Sequence, residues 1–193
     1  MKKKITKKSQ EFRNVISVME ENLSNWNHLT ELRKSYDAFL YNNKKLEDLL
    51  IKANQKLDAV FENKMLAKNN LIVSLQPLLD VTGLYAKDHK KSKLAKKVSV
   101  SEKELKSSSD KKLIKLSSFI VKELENYLSS QENKDETPAI KNYGIDQEKI
   151  NDVKKELENL KSLKKEFEVK KAEKKKAKSK LKKLVKTNNK LLN

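Results

Sequence analysis

The sequence predicts an all-α protein, an elongated antiparallel bundle of about four long helices with coiled-coil-like seams. Three observations carry that expectation. The 193 residues contain only two glycines and two prolines. Charged residues make up 37% of the chain, against about 25% in an ordinary domain, a balance typical of long helices. Apolar residues recur three and four positions apart over long stretches, which argues against disorder despite the charge. At this length one helical-bundle domain over 1–193 is expected. Around it come a basic N-terminal tail at 1–8, a basic connector at 88–109 and a polar loop at 132–145.

Phe12, Ile16, Met19, Leu23 and Trp26, followed by Leu32, Tyr36, Phe39, Leu46, Leu50, Ala53 and Leu57, predict a first helix over about 8–56. The serine and asparagines of "LSNWNHLT" weaken its apolar stripe, so a bend is expected there. Leu71, Leu75, Leu78 and Tyr85 mark a second helix over about 59–88. Within it Pro77 predicts a kink, and Gly83 an end or a close approach. In the connector, Ser101 and Glu104 stand at the spacing of a capping box. Leu113, Leu116, Ile120, Leu124 and Tyr127 predict a third helix over about 110–131. Asp146 is placed to cap a last helix that begins with Ile150, Val153, Leu157 and Leu160 and reaches about 191.

The segments "LIVSLQPLLDVTGLYAKDHKKSKLAKKVSVSEKELKSSSDKKL" and "YGIDQEKINDVKKELENLKSLKKEF", with Trp26 upstream, carry a resemblance. The chain resembles a group of uncharacterised all-helical bacterial proteins of about this length, over residues 12–190. The resemblance rests on scattered apolar positions and on the Tyr-Gly-Ile-x-x-Glu lead into the last helix. It implies the all-helical fold and no functional residue. This chain departs from the group by carrying lysines where the last helix is otherwise alanine-rich.

Several function classes find no support in the residues. Without cysteine, thiolate metal sites and disulfides are excluded. His28 and His89 lack further ligands at metal spacing and read as surface residues. Neighbouring carboxylates such as Glu20 and Glu21 point about 100° apart on a helix, and no Glu-x-x-His occurs, so a di-metal bundle is not expected. Two glycines cannot make a phosphate loop. A non-enzyme with no cofactor or metal is therefore expected. "MKKKITKK" is followed by no apolar h-region, and the longest apolar runs are three residues, so a cytoplasmic protein is expected.

The net charge of +18 is uneven: +5 over 1–8, −1 over 9–86, +6 over 87–112, −3 over 113–160 and +11 over 161–193. In the last helix one heptad position reads Val153, Leu160, Phe167, Lys174, Leu181, Asn188, so the seam breaks at Lys174. The candidate polyanion-binding residues are Lys170, Lys171, Lys174, Lys175, Lys178, Lys182 and Lys183. Arginine occurs only at Arg13 and Arg33, and the basic segments contain almost no aromatic residue. Forked phosphate clamps and stacking platforms are thus missing, and lysine point charges alone support weak, salt-sensitive, sequence-independent binding. The leading expectation is a non-catalytic helical interaction or structural protein with a protein partner. The alternative is weak binding of nucleic acid or an anionic membrane surface through the lysines.

Overall fold

The computed structural model describes residues 2–129 and 140–192. It is all-α: among the described residues there is no strand. The helices are α1 (Lys2–Glu21), α2 (Leu23–Trp26), α3 (Thr30–Asn54), α4 (Asp58–Asp88), α5 (Ser92–Val98), α6 (Glu102–Ser107), α7 (Asp110–Ser129) and α8 (Gln147–Leu191). Where length suggests one bundle, these residues form two compact units, 1–57 with 169–193, and 58–168. The polar loop expected at 132–145 falls largely outside the described residues. The segment read as an N-terminal tail belongs to α1 from Lys2 onward.

The first helix of the sequence reading is not one bent helix. It is two long helices, α1 and α3, separated by the single turn α2. The asparagines responsible are legible in hindsight. Asn22 Nδ2 donates to the carbonyl of Val18, which also accepts the Asn22 N–H, and Trp26 Nε1 donates to that of Met19, each side-chain bond at 2.8 Å, so both side chains bond carbonyls in the last turn of α1. The chain then reverses. Arg13 faces Glu47 and the Tyr36 hydroxyl donates to Glu20, so α1 and α3 lie antiparallel. Trp26 is buried against Tyr36, with ring centroids 4.9 Å apart. In the same unit Phe12, Phe39, Leu46 and Ala53 form a core with Ala177 and Leu181 of α8. Phe12 meets Phe39 edge to face at 5.4 Å.

That core also contains polar groups. Ser9, Asn43 and Asn188 are buried, and neither polar side-chain atom of Asn188 has a partner. Asn188 stands at the heptad position shared by the buried Val153, Leu160 and Leu181, so its burial follows from register and its polarity opposes it.

The unit 58–168 is built around α4, which is apolar on most of its circumference, as a central helix must be. Leu71, Leu75 and Leu79 of α4 pack with Leu113, Ile120 and Leu124 of α7 and with Ile150, Val153, Leu157 and Leu160 of α8. Helix α4 runs through both Pro77 and Gly83 without ending. A Cβ on Gly83 would meet Val98 Cγ2 at 3.5 Å, ordinary contact, so the glycine lies beside α5 without being required there. Leu94, Val98 and Leu105 fix α5 and α6 to this core. The capping box forms as expected: Glu104 N–H donates to Ser101 Oγ, and Ser101 N–H to Glu104 Oε2. The Ser101 N–H and the Ser101 hydroxyl, both donating to Glu104 Oε2, hold that carboxyl below the usual carboxylate range. Asp146 Oδ1 accepts from Lys149 N–H at the start of α8.

Two lysines of α4 point inward. Lys64 Nζ donates to Asp110 Oδ2 at 2.7 Å. Lys68 Nζ donates to the carbonyls of Lys106, at 3.0 Å, and Ser108, at 2.6 Å, closing the C-terminal end of α6. Each residue is less than a tenth exposed.

Two outcomes follow for stability. Lys68→Met keeps the aliphatic stem but leaves two carbonyls without a donor, and it is expected to destabilise the chain by about 1–3 kcal/mol in urea unfolding. Asn188→Leu, of similar size, removes two unpaired polar atoms and is expected to raise stability by about 1 kcal/mol, read as a higher urea midpoint.

Candidate functional site

The seven lysines singled out in the sequence do not form one cluster. Lys171, Lys175, Lys178 and Lys182 follow one another at spacings of four, three and four, so they share one strip of α8, and all four are exposed. Lys183 is exposed at a different angle around the helix, and Lys170 is partly covered. Lys174 has a structural task. Its Nζ donates at 2.7 Å to the carbonyl of Gln55, the C-cap of α3, and brings a positive charge to that helix end. The interruption of the seam is therefore a cap whose acceptor lies 119 residues away. Beside it Ile5, Leu50, Ala53 and Leu181 floor a cavity of about 330 Å³, with Lys174 and Lys178 on its wall. Ala177, one of the few apolar residues of the lysine run, is buried in the core of this unit.

The connector holds a second basic site, which the sequence reading scored as lacking aromatics. The tertiary structure supplies them from α7. Lys97 Nζ lies 3.7 Å from the ring centroid of Phe119, and Lys91 Nζ lies 4.7 Å from that of Tyr127. A cleft of about 460 Å³ opens there, walled by these four residues with Lys90, Lys93 and Glu123. Tyr127 in turn touches the buried Tyr85, whose ring also meets His89 and Tyr143. His89 is exposed and stacks on Tyr85, and His28 is exposed. The Asp88 carboxylate accepts the Tyr143 hydroxyl and holds that phenol above the usual tyrosine range.

A third feature is apolar. On α4, Leu66, Val73 and Leu84 are 60%, 71% and 57% exposed, and Pro77 is exposed between them. Their spacings of seven, four and seven put all four on one side of the helix. This ridge runs between two clefts. Pro77 borders one of about 250 Å³ with Val81 and Ile145, and Leu84 borders another of about 380 Å³ with Val98 and Val100. The exposed polar residues near the ridge include Glu62, Asn63, Asn69, Asn70, Asp80 and Lys87, and Lys149 and Asp152 line the cleft beside Pro77. Lys64 and Lys68 turn inward, and Lys87 is the exposed lysine of α4, one turn past Leu84 on the wall of its cleft.

Comparison with family models, with curated proteins and with solved structures finds no match. Among the described residues no helix is long and apolar enough to cross a membrane.

Replacing Lys171, Lys175, Lys178 and Lys182 by Glu tests the exposed strip. The eight lysine pairs at i,i+4 between 161 and 190 oppose the helix by about 0.2–0.5 kcal/mol each at low salt. The variant is expected to be as stable as the parent or up to about 1 kcal/mol more so, with the difference shrinking as salt approaches 0.15 M. Thermal unfolding at two salt concentrations reads this directly.

Proposed function

We propose that this chain is a non-catalytic helical interaction protein, and that the ridge of α4 receives an apolar helix of a protein partner. The observation that carries the reading is the ridge itself: three large apolar side chains, each more than half exposed, in heptad-like register on a helix otherwise buried in the core. Heptad spacing suits a second helix laid alongside, with its side chains entering the two flanking clefts. Glu62 and Asp80 lie along the ridge while Lys87 and Lys149 border its clefts, so the exposed charge is mixed and it is the apolar spacing that defines the partner.

Covering Leu66, Val73 and Leu84 contributes roughly 2–5 kcal/mol. Association costs at least about 4 kcal/mol, so the ridge alone gives weak binding and a stable complex also fills the clefts. The resemblance to all-helical bacterial proteins and a cytoplasmic setting are consistent with this reading and add no residue to it.

The experiment is capture from native lysate, with and without nuclease treatment, using three tagged chains: the parent, Val73→Lys/Leu84→Lys, and the glutamate variant of the α8 strip. A protein partner is expected with the parent and the strip variant, with recovery at least about tenfold lower for the ridge variant. The ridge substitutions are at exposed positions and are expected to change stability by no more than about 0.5 kcal/mol. Equal recovery by the ridge variant, or loss of all capture on nuclease treatment, defeats the proposal.

A further inference from the structure

The apolar ridge of α4 belongs to a longer strip. Leu66, Val73, Pro77 and Leu84 are interleaved with Asn63, Asn70, Asp80 and Lys87 at steps of three and four residues throughout, and every one of these positions is exposed. Such steps keep a strip on one side of a helix and are those of a coiled-coil seam. From Asn63 to Lys87 the strip reads polar, apolar, polar, apolar, apolar, polar, apolar, polar. It reads the same from either end.

A palindromic strip is what two identical helices need to pack about a two-fold axis, since each then meets its own pattern reversed. With the two copies antiparallel and the axis level with residue 75, Leu66 lies opposite Leu84 of the second copy and Val73 opposite Pro77. The polar positions match as well. Asn70 meets Asp80, an amide donor against a carboxylate, and Asn63 meets Lys87, an amide carbonyl against an ammonium. Within one chain Gln76 Nε2 donates to Asp80 Oδ1 at 2.8 Å, and a carboxylate accepts further bonds.

Other alignments lose these matches. A parallel pair sets Asp80 against Asp80 and Lys87 against Lys87, like charges at both positions. An antiparallel pair slipped by one heptad puts Val73 opposite Asn70 in one direction and Pro77 opposite Asp80 in the other, so polar groups are covered by apolar ones. The pattern therefore selects orientation and register together.

We infer that the helix received by the ridge is α4 of a second copy of this chain, laid antiparallel in this register. The inference rests on the reading of the ridge as a helix-docking surface and names its occupant. The two strips meet along about 35 Å of helix, a contact at the small end of specific interfaces. Each copy also carries a net charge of +18, whose repulsion is largely screened at about 0.15 M salt. A Kd on the order of 10–100 µM is expected under those conditions.

Sedimentation equilibrium of the full chain from about 5 to 500 µM, in about 0.15 M salt, tests this. The parent is expected to pass from monomer to dimer over that range. Val73→Lys/Leu84→Lys is expected to weaken association at least about tenfold. Two changes at Asn70 test the alignment. Asn70→Lys brings an ammonium to Asp80 of the second copy, twice per dimer, and is expected to tighten association about threefold, whereas Asn70→Asp opposes carboxylates there and weakens it about as much. In a parallel pair Asn70→Lys would instead oppose two ammonium groups and weaken association. Asn70 is exposed, so both of its variants are expected to fold by circular dichroism and decide the matter even if the double variant does not. A parent that stays monomeric to about 500 µM, a folded double variant that dimerises as the parent does, or weaker association of Asn70→Lys overturns the inference. A monomeric parent whose captured protein is still lost with the ridge substitutions leaves the ridge as a docking surface for a different protein, so the two readings fail separately.

Discussion

Ending helices is the constraint on which this structure depends. Each α-helix leaves carbonyls without intrahelical donors at its C-terminus, and the usual remedy is a glycine just past the end. With two glycines in 193 residues, the chain closes several of its described helices with side chains. Asn22 and Trp26 close α1, Lys174 reaches the C-cap of α3, and Lys68 covers the end of α6. Helix α4 ends on a left-handed lysine. Lysine is suited to this because a long apolar stem can cross the core and still present three donors at its tip.

This use of lysine separates the charges of the chain into two populations. Lys64, Lys68 and Lys174 are tied to acceptors on other helices, and Lys91 and Lys97 are seated on aromatic rings. Lys171, Lys175, Lys178 and Lys182 are exposed along one side of α8. Net charge alone does not distinguish these populations, which is why a value of +18 says little about partners. Turning Lys64 and Lys68 inward leaves Lys87, near the C-terminal end of α4, as the exposed lysine of that helix.

The unit 58–168 presents two kinds of surface. The ridge of Leu66, Val73 and Leu84 offers exposed apolar area in heptad-like register, with Lys87 and Lys149 at its clefts, while Lys97 rests on the ring of Phe119. Helix–helix contact uses the apolar surface.

Much of the fold was legible because its signals are local. Apolar spacing located α4, α7 and α8, and Ser101 with Glu104 and Asp146 named two helix starts, since a cap and its acceptor lie within four residues. The heptad position through Val153, Leu160 and Leu181 was also correct, and it carried Asn188 inward with them. The break between α1 and α3 was only half visible. The asparagines weakened the stripe, but a reversal instead of a bend depends on Trp26 packing on Tyr36 and donating to Met19. What the sequence could not contain was the partner of each lysine. Acceptors 38, 46 and 119 residues away, and rings supplied from α7 to the connector, exist only once the helices are packed. By itself the sequence determined that the chain is helical and where most helices start, because periodicity and capping are properties of neighbouring residues. Only the tertiary structure decided which lysines reach a distant carbonyl, a carboxylate or a ring, because an ammonium group takes its role from whatever acceptor the fold brings to it.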